Sequence, residues 1–357
     1  MAKKFTKPLS LFLVLVFSVF SFGSLLSPSA SARSLTVSQK LSRLQVYPGG
    51  MPFGVKFLTE GILVVGLGEV TAKDGVKNPS RAAGLRPNDV ILKINGSSVE
   101  NAEQLAQLVS QSGGSPLRIC YRRNGEEHTT SLTPVYSETE GRFTTGLYVR
   151  DSGAGIGTVT FIIPRTCAFA GLGHGICDGQ TGNLIPMQRG SVVGVTISGV
   201  VRGLAGSPGE VKGYFSSGKT GTLLGNTHCG VYGVFASLPE KIPSSPIFIG
   251  LRDEVREGKA TIYCMLDSDS PQSYEIEISE IRRDSTTNKC FTVKVTDEAL
   301  LAKTGGIIQG MSGSPIIQNG KLIGAVTHVL INDPTTGYGI FIENMLNAAE
   351  MPMAKAS

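Results

Sequence analysis

Residues 310–315 read Gly-Met-Ser-Gly-Ser-Pro, a run of small residues set between two apolar, strand-like stretches. A serine in such a bend suits acyl transfer. The hydroxyl is held out on a sharp turn, and glycines beside it keep side-chain bulk away from an approaching substrate carbonyl. Peptide N–H groups of the same bend can face the charge that develops on that carbonyl. The hydroxyl then needs a base within hydrogen-bond reach and a third group to orient the base. Taken alone, six residues of this kind suit a structural turn equally well, and Ser314 is a rival to Ser312.

The base must come from four histidines. His128 reads as a surface strand residue. His228 lies beside Cys229 and hints at a Cys–His pair, but neighbouring residues on a strand point to opposite faces. His328 follows Ser312 on the next strand and would line a pocket there. His174 sits in Phe-Ala-Gly-Leu-Gly-His-Gly-Ile-Cys-Asp, residues 169–178. The glycines break this apolar run, so a lone imidazole is expected in a sheltered but reachable turn. His174 is the expected base, with a satisfied core histidine as the plain alternative. For the orienting acid, Asp178, Asp253, Asp267, Asp269, Asp284, Asp297 and Asp333 all lie in the same half. Spacing alone does not choose among them.

The elements that must position these groups are strands. From Gly141 onward short β-branched runs alternate with glycine, as in GIGTVTFI and RGSVVGVTISGVV, which predicts antiparallel strands of a barrel or sandwich. Helix is expected only around 297–303 and 342–350. Residues 46–136 form a separate unit of strands with one amphipathic helix. Asn101 is its N-cap, Leu105, Leu108 and Val109 are its apolar face, and Gly113-Gly114 ends it. Asn95-Gly96 and Asn124-Gly125 are hairpin turns.

At 357 residues the chain has room for two or three cores. Its net charge of +5 and the lack of any basic block with interleaved aromatics argue against a nucleic-acid partner. Lys3, Lys4 and Lys7 precede an apolar run from Leu9 to Leu26 and then Ala30-Ser31-Ala32, the pattern of an export signal. Cleavage after Ala32 and retention as a membrane anchor both stay open. Six cysteines contain no C-x-x-C pair, so no zinc site is expected. Cys167 and Cys177 are the nearest pair in sequence, and free thiols fit as well.

The order of elements over 46–136 resembles a PDZ domain, most specifically in AAGLRPNDVILKINGSSV. That resemblance implies a loop that captures a peptide carboxylate with backbone N–H groups: Gly50, Met51, Pro52, Phe53, Gly54 and Val55. Pro52 has no N–H to give. The alternative is that Met51 and Phe53 merely plug a small core. GMSGSP is similar to the nucleophile turn of chymotrypsin-like proteases, Gly-Asp-Ser-Gly-Gly-Pro, and GKLIGAVTH resembles their substrate strand. By this resemblance Ser312 is the nucleophile, the N–H groups of Gly310 and Ser312 form the oxyanion hole, and Ser314 is a small filler. Met311 stands where trypsin-like enzymes carry an acid that pairs with a new N-terminus, so that activation switch is not expected.

From about residue 45 onward the chain resembles the SpoIVB peptidase family of endospore-forming bacteria. The likeness implies a mainly β chain, a PDZ domain followed by a chymotrypsin-like antiparallel β-barrel serine protease. The expected layout is a signal or anchor over 1–32, a linker over 33–45, the PDZ domain over 46–136 and the peptidase over 137–357. The family's acid lies in a Val-Thr-Asp segment, which selects Asp297; His174 and Ser312 agree with the reading of the residues. The family cuts itself near its N-terminus. It then cleaves a membrane-bound regulator of an intramembrane protease, in the space between the inner and outer forespore membranes, with the PDZ domain controlling self-cleavage. Its partners are thus protein substrates including itself, and neither a metal nor an organic cofactor is expected. Two rivals are a non-catalytic PDZ scaffold of the spore envelope and a Cys-dependent hydrolase built on Cys229.

Overall fold

A computed structural model describes residues 41–349 apart from Ser244, Ser268 and Asp269. The export or anchor segment expected over 1–32 and the candidate acid Asp269 lie outside the described residues. Among the described residues no helix is long and apolar enough to cross a membrane.

The chain is mainly β. Strand β1 (Gln45–Pro48) leads into β2 (Pro52–Leu67), and β3 (Val70–Ala72) and β4 (Gly75–Lys77) form a small hairpin. Beside the second half of β2 stand β5 (Val90–Ile94), β6 (Ser97–Ser98), β7 (Leu117–Arg123) and β8 (Glu126–Leu132). The helix Ala102–Gln111 packs Leu105 and Val109 against Ile91, Ile94 and Ile119. Asn101 caps it by accepting a 2.8 Å hydrogen bond from the Gln104 N–H, as its short polar side chain allows. Asn95 and Gly96 both have positive φ, as do Asn124 and Gly125. Both hairpins therefore turn through the primed geometry that Asn-Gly favours.

After a short pair, β9 (Val135–Ser137) and β10 (Arg142–Thr144), come β11 (Leu147–Ile162), β12 (Ala168–Gly171), β13 (Met187–Val201), β14 (Glu210–Thr227) and β15 (Gly230–Phe235). With β2 they close a ring in the order β2-β11-β12-β15-β14-β13. β16 (Ile247–Phe248) pairs with β1. A second closed barrel follows, from β17 (Gly258–Cys264), β18 (Gln272–Ser279), β19 (Phe291–Val295), β20 (Pro315–Gln318), β21 (Lys321–Leu330) and β22 (Asp333–Phe341). Each barrel has its own core. Phe53, Val159 and Phe169 fill the first, and Phe291, Val293 and Ile340 fill the second. Each such side chain contributes roughly 2–3 kcal/mol by leaving water. The helices Glu298–Thr304 and Ile342–Ala348 flank the second barrel.

The course of β2 corrects the expected carboxylate loop at Gly50, Met51, Pro52, Phe53, Gly54 and Val55. Pro52–Leu58 pairs with Ser152–Thr158 of β11 on one edge, and Gly54–Thr59 pairs with Met187–Val193 of β13 on the other. The Gly50 N–H is spent on the Val159 carbonyl at 2.8 Å, and Met51 accepts from the Val159 N–H at 3.0 Å. Met51, Phe53 and Val55 are buried in the first barrel. The Gly50 donor is thus spent, Pro52 has none to give, and Gly54–Leu58 is paired on both of its edges.

Candidate active site

The serine turn lies between the helix Glu298–Thr304 and β20. Gly310 and Gly313 have φ of 97° and 96°, values that a side chain strains. At Gly313 a Cβ would stand 2.1 Å from the Thr158 carbonyl oxygen and 2.5 Å from the Leu172 nitrogen, so only glycine fits. Met311 is buried beneath the turn. Strand β11 holds the turn from below. The Thr158 hydroxyl donates to the Gly310 carbonyl and the Thr160 hydroxyl to the Gly313 carbonyl, each at 2.7 Å, while the Thr158 N–H donates to the Ser312 carbonyl at 3.0 Å. In the sequence these threonines read only as strand formers. The N–H groups of Gly310 and Ser312 make no hydrogen bond within the described residues, although Met311, Gly313 and Ser314 all spend theirs on carbonyls. Ser314 is fully buried with an unpartnered hydroxyl and lies off the cavity.

His174 arrives from the other barrel. The chain leaves β12 at Gly171 and turns through Leu172 and Gly173, both left-handed, with φ of 66° and 67°. A Cβ on Gly173 would meet the Thr327 side chain at 2.8 Å. The bare faces of Gly173 and Gly313 thus let the histidine turn nest against the serine turn and β21. His174 and Ser312 line one cavity of about 330 Å³, with Gly310, Cys177, Val55 and Leu172 around them. The His174 Nδ1 lies 2.9 Å from the Gly175 carbonyl, which fixes that nitrogen as the N–H donor. Nε2 is then the basic atom. Burial pushes the imidazole below its usual value, and the Gly175 bond opposes this only in part. The ring is therefore neutral, as a base must be. Ser312 donates its hydroxyl to the Thr327 carbonyl at 2.8 Å.

His328 stands beside His174, with ring centroids 5.0 Å apart and planes at 41°. Burial first, then His174 and Lys289, lowers it to about 4, and its Nδ1 has no hydrogen-bond partner. In the sequence His328 is a pocket-lining residue on the strand after Ser312 with no assigned role.

Asp297 is held elsewhere. It is the N-cap of the helix Glu298–Thr304, where Oδ1 accepts from the Leu300 N–H at 2.9 Å and Oδ2 from the Glu275 N–H at 3.2 Å. Among the described residues no hydrogen bond or ion pair joins it to His174. Asp178 is buried and pairs with Arg150 at 3.0 Å. His228 uses its carbonyl to receive the Asn288 side chain. Burial raises the Cys229 thiol, with Cys290 adding to it, which is the opposite of what a thiolate nucleophile needs. All six cysteines are unbridged. No group of three or more His, Cys, Asp or Glu among the described residues has a metal-holding arrangement.

Residues 141–346, more than half of the chain and both faces of the cavity, match the family model described as SpoIVB peptidase S55. The chain belongs to the SpoIVB peptidase S55 family. Residues 77–123 match a PDZ domain. Curated relatives matched over shorter stretches include a putative zinc metalloprotease of Clostridium acetobutylicum, 25% identical over 118 residues, 33% of this chain and 34% of that protein. The zinc metalloprotease RasP of Geobacillus kaustophilus is 30% identical over 108 residues, 30% of this chain and 22% of its own length. The chain thus spans about a third or less of these relatives. Among solved structures, the active form of the Rv3671c protease from M. tuberculosis aligns with a TM-score of 0.31 at 15% identity, over 55% of this chain and 74% of that one. The PDZ domain of an SdrC-like protein from Listeria monocytogenes aligns with a TM-score of 0.21 at 16% identity, over 25% of this chain and 87% of that one.

Proposed function

We propose that this peptidase cleaves internal peptide bonds with Ser312 as nucleophile and His174 as general base. The observation that carries the reading is that one cavity collects the Ser312 hydroxyl, a neutral His174 and two unspent backbone N–H groups. Nε2 of His174 takes the proton as Oγ of Ser312 attacks the scissile carbonyl. The N–H groups of Gly310 and Ser312 receive the oxyanion, and the imidazolium then protonates the leaving amine. Water repeats the sequence to release the acyl group. Asp297 serves this scheme from a distance, by anchoring the start of the segment that runs to the serine turn. The Gly175 carbonyl orients the imidazole.

Family membership supports a fuller role. The peptidase clips its own N-terminal region after export and then cuts a membrane-associated regulator between the two forespore membranes, releasing an intramembrane protease. The PDZ part holds the substrate or restrains self-cleavage. Purified full-length chain and its Ser312→Ala form, incubated side by side, test the reading through their N-termini by mass spectrometry and labelling by a fluorophosphonate. Clipping and labelling confined to the parent are expected. Identical N-termini with no labelling of Ser312 would leave a binding scaffold as the better account.

A further inference from the structure

A second cavity, of about 650 Å³, opens on the outer face of the sheet where β2, β11, β13 and β14 run side by side. Its lining carries Lys56, Arg150, Arg189 and Lys219 and no carboxylate. Register explains the cluster. Lys56 lies opposite Ala154 and Ser191, and Leu58 opposite Ser152 and Arg189, so alternate residues of three neighbouring strands point the same way. All four cations are exposed. Arg150 is ion-paired with Asp178, and Lys56 lies over the Phe215 ring at 4.8 Å. Arg189 and Lys219 make no side-chain hydrogen bond or ion pair among the described residues. Burial alone would raise Asp178, but the N–H groups of Thr181 and Gln180, the Thr181 side chain and Arg150 together hold it below the usual carboxylate range. Asp178 therefore stays ionised and occupies Arg150, which leaves three cations uncompensated by carboxylates.

Ala154 lines this cavity and the catalytic cavity alike. The catalytic cavity is lined by Ala154, Gly157 and Ser312, and Ala154 to Gly157 alone spans about 10 Å at one strand rise per residue. A peptide seated at Ser312 and extending along β11 would therefore reach the basic cavity about three residues from its scissile bond.

We propose that the Lys56, Arg189 and Lys219 cavity is a remote specificity subsite that takes acidic side chains of the peptide substrate. The proposal rests on the peptidase reading above. Opposite charge raises the local concentration of acidic segments and the rate of productive encounter. It also separates foreign substrate from self. The sequence contains no Asp or Glu before Glu60, and the stretch expected to be self-cleaved, 33–45, carries Arg33, Lys40 and Arg43. Such a segment gains nothing from a basic cavity.

A proteome-derived peptide library, digested by the full-length chain and by a Lys56→Glu/Arg189→Glu variant, tests this, with fluorophosphonate labelling of Ser312 measured on both. The parent should prefer sites with Asp or Glu at a fixed offset of about three residues or more. The variant should lose roughly 10-fold in cleavage of those sites while keeping neutral sites, labelling and self-clipping. The preference should also fade between about 0.1 and 0.5 M salt. If charge reversal disturbs folding, the Lys56→Ala/Arg189→Ala pair gives the same comparison. A parent that is labelled yet cuts acidic and neutral sites alike, or a variant with an unchanged profile, overturns the subsite. A parent neither labelled nor active overturns the peptidase reading, and this proposal with it.

Discussion

The hydroxyl of Ser312 rests on the carbonyl of Thr327, 2.8 Å away, and not on the imidazole of His174. Thr327 belongs to β21, the strand that reads as the substrate platform. In the proposed scheme the nucleophile must therefore leave this carbonyl for another staggered rotamer before it can give its proton to His174. Catalytic hydrogen bonds in unliganded sites often form only when substrate arrives. A crystal structure of the fluorophosphonate adduct should show Ser312 Oγ released from Thr327 and His174 Nε2 within about 3 Å of it. An adduct with the imidazole still remote would contradict the assignment of the base.

Thr158 and Thr160 hold the carbonyls on either side of the nucleophile. Replacing either with valine keeps the shape and removes the donor, leaving a sheltered carbonyl unpaired at about 1–3 kcal/mol. Thr158→Val and Thr160→Val should each lower the unfolding free energy measured in urea by that cost. Each should also reduce kcat by about tenfold or more through a looser serine turn, with smaller effects on KM. Unaltered kcat in both would mean that β11 does not position the nucleophile.

Two histidines set the pH behaviour. His174 is lowered from its ordinary value by burial, so the acid limb of kcat/KM should have its midpoint below pH 6.5. His328 sits at about 4, chiefly through burial and then through His174 and Lys289. In the unfolded chain it takes up its proton near pH 6.5, so the unfolded state binds more protons in between. Stability from the neutral ring is complete above pH 6.5 and is lost as pH falls toward 4. Thermal melts of the parent should show this loss, and His328→Gln should flatten it. A variant whose melting curve tracks the parent at every pH would show that His328 does not titrate this way.

Asp297 divides two roles that its residue type merges. As a helix cap it should be replaced only in part by Asn, whose side-chain oxygen accepts from the Leu300 N–H but whose amide nitrogen cannot accept from the Glu275 N–H, whereas Ala loses both acceptors and should cost about 1 kcal/mol or more. The expectation is therefore a folded Asp297→Asn, slightly less stable than the parent and with activity within tenfold of it, and an Asp297→Ala that melts earlier still. If Asp297→Asn instead lost about 10⁴-fold in kcat without further loss of stability, the carboxylate would have to reach His174 in the working enzyme.

Local signals carried much of the chemistry and little of the pairing. The glycine-flanked Ser312 and the glycine-broken run around His174 both mark backbone shapes that few residues can adopt, and the two fall in one cavity. The Asn-Gly turns and the Asn101 cap are likewise short-range and read directly. The stretch Gly50–Val55 misled because alternation identifies a strand without naming its neighbours. Those neighbours lie about 100 and 140 positions away, on β11 and β13. Asp297 was open for a related reason, since an aspartate before a helix fits both a cap and a catalytic acid. The supporting hydroxyls of Thr158 and Thr160 carry no sequence signature, because their task depends on a turn some 150 residues later.

Strand β2 forms a stave of the first barrel over its first half, kinks at Gly61, whose φ is 74°, and pairs with β5 over its second. The two modules are therefore joined through shared hydrogen-bonded backbone, with no flexible tether between them along this strand. Excising the PDZ part at any point before residue 60 would pull a stave from the barrel that carries His174. A ligand that tugged on the outer half of the strand would do so with its hand already on the wall of the catalytic cleft.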